Sequence, residues 1–140
     1  MPPKEVFLSH SSHDAEVTSR VAETLRNHGI PVWYSATNIR GAQQWHDEIG
    51  RALKRCDFFI VLLSNHSIAS EWVKRELSYA LNHAQYAEKI LPVKLETCDY
   101  ESLSWTLDSF QMVDLARDYA NGCRDILNTW GFGLDVEKLR

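Results

Sequence analysis

Trp72 and Glu76 stand four residues apart in Ser70-Glu71-Trp72-Val73-Lys74-Arg75-Glu76-Leu77. On a helix with Val73 at zero, Val73, Leu77, Ala80, Leu81 and Ala84 gather within roughly 340° to 80°, an apolar face for a core. Glu71, Lys74, Arg75, Ser78, Asn82 and Gln85 take the solvent side. A further stripe at roughly 240° to 300° holds Trp72, Glu76, Tyr79 and His83, too aromatic for free solvent and too polar for a core, as expected of a cleft wall. An indole and a carboxylate one turn apart can address one ligand. The plainer alternatives are a solvated Glu76 paired with a lysine or arginine, and a Trp72 that only packs.

Other chemistries fall away. His10 and His13 are three apart, without H-E-x-x-H spacing or a neighbouring cysteine or carboxylate set, so no metal is expected and a loop or capping role fits them better. The glycine patterns of dinucleotide-binding, P-loop and hydrolase-elbow sites do not occur. Cys56, Cys98 and Cys123 are odd in number and widely spaced, which argues against a disulfide framework or a zinc site and for a reducing, cytoplasmic setting. A net charge of −4 offers no global field for nucleic acid or an anionic membrane, so neither is an expected partner. No run of 18 apolar residues and no secretory pattern is present, so no membrane span and no signal peptide are expected.

A chain of 140 residues with 44% hydrophobic content suits one domain, 1–140, with a core over about 5–130 and a frayed tail at 131–140. Val6-Phe7-Leu8 reads as a first strand, ending in a cluster of cap formers from Ser9 to Asp14 that opens a helix. Ile30 to Tyr34 reads as a second strand, with Pro31 placing it at a sheet edge. A polar loop runs to Gln44, and a second helix carries Trp45, Ile49, Ala52, Leu53 and Cys56. Asp57 to Leu63 is the central strand, apolar throughout its last six residues. The third helix follows Ser70; Ile90 to Leu95 is a fourth strand, and Thr97 to Ser109 is irregular. Phe110 to Leu115 is a weak fifth strand, and Tyr119 to Trp130 a last helix.

Alternation of strands and helices over short connections implies an α/β fold: a flavodoxin-like three-layer α/β/α sandwich around a five-stranded parallel sheet in the order 2-1-3-4-5. The topological switch then lies between the first and third strands. Ligands should meet the loops at their carboxyl ends, Ser9 to His13 and Ser64 to Ser70.

Four blocks in this order resemble a bacterial TIR (Toll/interleukin-1 receptor) domain of the NAD-cleaving type: F-L-S-H-S-S-H-D at Phe7 to Asp14, the turn around Gly41, F-I-V-L-L-S at Phe59 to Ser64, and S-E-W-V-K-R-E-L at Ser70 to Leu77, with I-L-P-V at Ile90 to Val93 after them. The resemblance covers about Glu5 to Trp130 and implies the TIR fold. By the match at W-x-x-x-E it implies that Glu76 is the catalytic glutamate, with Trp72 packed against a ring of the bound nucleotide. Phe7, Ser9, His10 and Ser64 would line the floor of the substrate site, and Tyr34 would join them from the second strand's end. It further implies that the loop from Tyr34 to Gln44, with Ile39, Arg40 and Gly41, docks on a neighbouring protomer and completes its site. Ser35 stands where many relatives carry an acid.

The activity implied is an NAD+ glycohydrolase or cyclase that releases nicotinamide with ADP-ribose or a cyclic ADP-ribose isomer, in bacterial antiphage immunity. NAD+ is then a substrate and no cofactor is held; self-association and a sensor or effector protein are the implied partners. The alternatives are a non-catalytic TIR–TIR interaction module and a nucleoside deoxyribosyltransferase-like enzyme, which also uses a flavodoxin-like fold and a glutamate. A phosphoacceptor receiver fits poorly, because Leu8-Ser9-His10 stands where that fold needs acids and Asp57 begins its strand.

Overall fold

Five parallel strands build the sheet: Val6–Ser9 (β1), Val32–Trp33 (β2), Phe58–Leu63 (β3), Ile90–Lys94 (β4) and Val113–Asp114 (β5). Their order is β2-β1-β3-β4-β5, as the strand and helix alternation predicts. The computed structural model describes residues 2–35 and 42–140, with side chains throughout those ranges except 42–45. The helices are Ala15–Asn27 (α1), Ala42–Arg55 (α2), Glu71–Leu81 (α3) and Tyr119–Asn128 (α4).

Alternation along the strands sorts the apolar side chains onto two faces. Val6, Leu8, Phe58, Ile60 and Leu62 meet Val21, Ala22 and Leu25 of α1 and Cys123, Ile126 and Leu127 of α4. Phe7, Phe59, Val61 and Leu63 meet Ile49, Ala52 and Leu53 of α2 and Val73, Leu77 and Ala80 of α3. Ser9, next in phase after Phe7, therefore points toward α2 and α3. β3 is buried at all six positions, as its apolar run requires of a central strand.

The second strand is shorter than Ile30 to Tyr34 suggests. Pro31 precedes it, exposed, and its carbonyl accepts from the Val6 N–H at 2.8 Å. The fifth is reduced to two residues. Pro92 sits inside β4, between β3 and β5. The Leu95 N–H donates to Leu63 and the Leu115 N–H to Lys94, so by alternation the proline nitrogen faces the β5 side, ahead of the point where β5 begins. The irregular stretch holds short 3-10 segments at Tyr100–Ser102 and Trp105–Ser109, anchored by buried Leu103 and Leu107.

Three sequence expectations are corrected. α2 begins at Ala42, inside the stretch read as loop. α3 stops at Leu81 with Asn82 as its cap and His83 extended, so Leu81 and Ala84 lie exposed instead of on the core face. The cause lies just beyond the helix. Gln85, expected on the solvent side, donates from Nε2 to the carbonyls of Leu53 (3.1 Å), Lys54 (3.1 Å) and Cys56 (2.7 Å), and the Tyr86 hydroxyl donates to Leu53 at 2.6 Å. Together they satisfy carbonyls that the end of α2 leaves open, which draws the chain off the helical path.

The third correction is the tail. After Gly131, at φ +82°, Phe132, Leu134 and Leu139 pack on the core edge. Asn27 Nδ2 donates to the Lys138 carbonyl at 3.1 Å, the Asp135 N–H to His28 Nε2 at 3.0 Å and the Arg140 N–H to Thr24 Oγ1 at 3.0 Å. The segment is strapped along α1.

Candidate active site

Ser9 ends β1, in register with Val61 of β3, at the carboxyl edge where the strand order reverses. Across from it α3 starts at Ser70, whose hydroxyl caps the helix by accepting from the Val73 N–H at 3.2 Å. One and a half turns on, Glu76 points at the strand end, and the Ser9 hydroxyl donates to Glu76 Oε1 at 2.6 Å. Both are buried, Ser9 to 1% and Glu76 to 6% exposure. Burial pushes the Glu76 carboxyl up to about 7, an effect the Ser9 hydrogen bond partly opposes. Among the described residues no lysine, arginine or histidine pairs with it. On the stripe read from sequence, Glu76 is buried and hydrogen-bonded instead of half-solvated.

Trp72, one turn earlier, is half-buried, with the His46 ring edge-on at 5.8 Å and the Arg75 guanidinium over its indole at 5.4 Å. Tyr79 continues the stripe, stacked on His83 at 3.6 Å. Phe7 lies beneath the site at 1% exposure, stacked on Phe59 at 5.5 Å and tilted against Trp33 at 5.1 Å. It is enclosed in the core beneath α2 and α3. His10 turns edge-on to Tyr34 at 5.9 Å, and burial lowers its pKa. Tyr34 in turn lies under the Arg26 guanidinium at 5.3 Å. His10 and His13 diverge, because His13 stacks on His66 at 4.4 Å. Among the described residues no cluster of three or more potential metal ligands forms.

Ser64 is committed internally. Its hydroxyl donates to Asp14 Oδ2 at 2.6 Å and accepts from the Ser67 N–H at 3.0 Å, while its own N–H donates to Ser67 Oγ at 2.8 Å. The next N–H, of Asn65, donates to Glu96 Oε2 at 2.7 Å. These bonds fasten the loop after β3 to the loop after β1 and to the end of β4. Asp14, Ser67, Glu96, Trp33 and His46 were not singled out from sequence. Asp14 resembled a helix cap, yet its side chain makes no cap bond. Ile39, Arg40 and Gly41 lie outside the described residues.

A family model described as a TIR domain matches residues 6–127. PdTIR of Paracoccus denitrificans, an NAD(+) hydrolase, is 33% identical over 94 residues, 66% of this chain and 31% of that protein. AbTIR of Acinetobacter baumannii, a 2' cyclic ADP-D-ribose synthase, is 31% identical over 94 residues, 66% of this chain and 35% of that protein. The chain spans about a third of the length of the curated relatives it matches. Among solved structures, the TIR domain of the Toll-related receptor TRR-2 from Hydra magnipapillata superposes with a TM-score of 0.71 at 16% identity, covering 89% of this chain and 95% of that one. The TIR domains of the activated Roq1 resistosome give 0.70 at 17% identity, covering 91% and 99%. At such identities these likenesses speak for the fold alone. Sheet order, switch-point geometry and sequence match coincide over residues 6–127, and on that ground the chain belongs to the TIR domain family.

Proposed function

We propose that this domain cleaves the nicotinamide–ribose bond of NAD+, releasing nicotinamide with ADP-ribose or a cyclic isomer. The observation that carries the reading is Glu76: a buried carboxylate at the switch point, held by Ser9, with no cation beside it among the described residues. A ligand that brings its own positive charge into that position gains the most from it. The pyridinium of NAD+ is such a ligand. When the C1′–N bond breaks, its electron pair stays on the ring nitrogen, so nicotinamide leaves neutral and needs no general acid. Positive charge moves to C1′ and the ring oxygen, where an ionised Glu76 stabilises it. Water, or a hydroxyl of the same molecule, then bonds to C1′ through an oxygen lone pair and gives up its proton to solvent.

In this reading Trp72 offers an aromatic wall to a ring of the nucleotide and Ser64 keeps the two loops together, while Tyr34, with His10 edge-on to it, packs on the α1 side of the sheet. The names of PdTIR and AbTIR support NAD+ as substrate at modest identity. The wider setting proposed is a cytoplasmic, self-associating enzyme of bacterial antiphage immunity that answers to a sensor or serves an effector. The three thiols are free, and no described helix is long and apolar enough to cross a membrane.

Chromatography of products after incubation with NAD+, at high protein concentration, tests the reading. The unaltered chain should release nicotinamide and an ADP-ribose product, and Glu76→Gln should lose at least roughly a hundredfold in rate. Undiminished turnover by Glu76→Gln removes the catalytic assignment; no turnover by the unaltered chain favours the interaction module.

A further inference from the structure

Ser9 is placed by the sheet, not by a loop. Its Cα pairs with Val61 on β3, while Phe7, two residues before it, pairs on both sides, with Trp33 and Phe59. A seryl side chain has one torsion to set and one proton to give. That proton goes to Glu76 Oε1 at 2.6 Å, the short distance of a charge-assisted bond. While it does so, Ser9 has only acceptor lone pairs left and cannot donate to a substrate hydroxyl or phosphate. Glu76 has three torsions of its own, and Oε2 has no partner among the described residues. We propose that Ser9 is a positioning residue for Glu76: it grips Oε1, fixes the carboxylate in one orientation and leaves Oε2 as the atom that faces the ribosyl centre, without itself binding NAD+.

The proposal rests on the reading of Glu76 as the catalytic group, and it separates from that reading by measurement. A hydroxyl that donates to the charged form favours that form, so its removal should make Glu76 harder to ionise. In Ser9→Ala the acid limb of kcat/KM against pH should move up by about one unit, a loss of roughly tenfold at pH 6.5 that shrinks above pH 8.5. The loss should fall on kcat with KM little changed, because Ser9 acts through Glu76 and touches no substrate. Ser9→Thr, which keeps the hydroxyl, should restore most of the rate and the original limb.

A second readout needs no turnover: the Glu76 carboxyl carbon, followed by NMR titration, should have a higher midpoint in Ser9→Ala than in the unaltered chain or Ser9→Thr. An unchanged midpoint overturns the proposal even if NAD+ is cleaved. An effect confined to KM also overturns it, since that marks Ser9 as a substrate contact. If NAD+ is not cleaved at any pH, the catalytic reading fails, and the titration alone still decides whether Ser9 holds Glu76.

Discussion

Glu76 retains its proton at a pH where most glutamates have lost theirs, because burial costs the charged form more than one hydroxyl returns. Folding therefore raises its pKa from the ordinary 4.5 to about 7. A raised carboxyl contributes stability that is fully present below the unfolded value and drains away as pH climbs through the folded one. Replacement by glutamine, which still accepts from Ser9, removes the drain. Glu76→Gln should match the unaltered protein in urea unfolding near pH 4.5 and exceed it by up to about 3 kcal/mol at pH 8.5. Equal stabilities at both values would mean that the carboxyl is not desolvated in solution. This departs from what the wheel alone suggests, since a glutamate about 100° off the core face should leave stability untouched. The period of 3.6 exposes the stripe of Trp72, Glu76, Tyr79 and His83, but burial depends on what stands opposite. That is Ser9, 67 positions away. The Ser64–Asp14 bond spans 50 positions, and no local spacing signals it.

Within the elements, α4 approaches β5 closely at one point. A Cβ on Gly122 would lie 2.2 Å from Leu115 Cδ2, 3.0 Å from the Asp114 carbonyl oxygen and 3.1 Å from Leu115 Cα. Two of these are backbone atoms of the strand or its end, so the helix itself must move. Gly122→Ala should cost about 1–3 kcal/mol by overpacking. Gly50, inside α2, has nothing within 4 Å of such a Cβ, and Gly50→Ala should gain roughly 0.5–1 kcal/mol through helix propensity. Thermal unfolding of the pair checks this, and equal shifts would place α4 farther from β5. Strand order was legible because β3 is apolar at every position and because helices separate the strands. The end of α3 was not. Leu81 and Ala84 keep helical phase past the point where Gln85 and Tyr86 find stronger partners at the end of α2. A helical repeat records local spacing and is blind to hydrogen bonds offered by another element.

Taken as one body, the molecule carries Ser9, Trp72 and Glu76 on the α2 and α3 side of the sheet, and Tyr34 on the α1 side. If the segment from Tyr34 to Gln44 completes a neighbour's site, as the resemblance implies, activity belongs to an assembly, and rate per molecule should rise with protein concentration. Two variants, each inactive alone, make the test sharper. Glu76→Ala keeps the segment, and Arg40→Glu keeps the glutamate; mixed, they should recover part of the unaltered rate, because some interfaces pair an intact segment with an intact glutamate. No recovery at any ratio, with both variants folded and associating, would confine the site to a single chain. The strap along α1 bears on how such experiments can be built. It ends with the Arg140 N–H on Thr24 and the Arg140 carbonyl accepting from Arg20 Nε at 3.2 Å, both residues on the helix that covers the opposite face from Glu76. A reporter protein, an affinity handle or a solid support joined after Arg140 departs from the back of the sheet, so copies can be displayed densely on a bead or a membrane with the Glu76 face turned away from it.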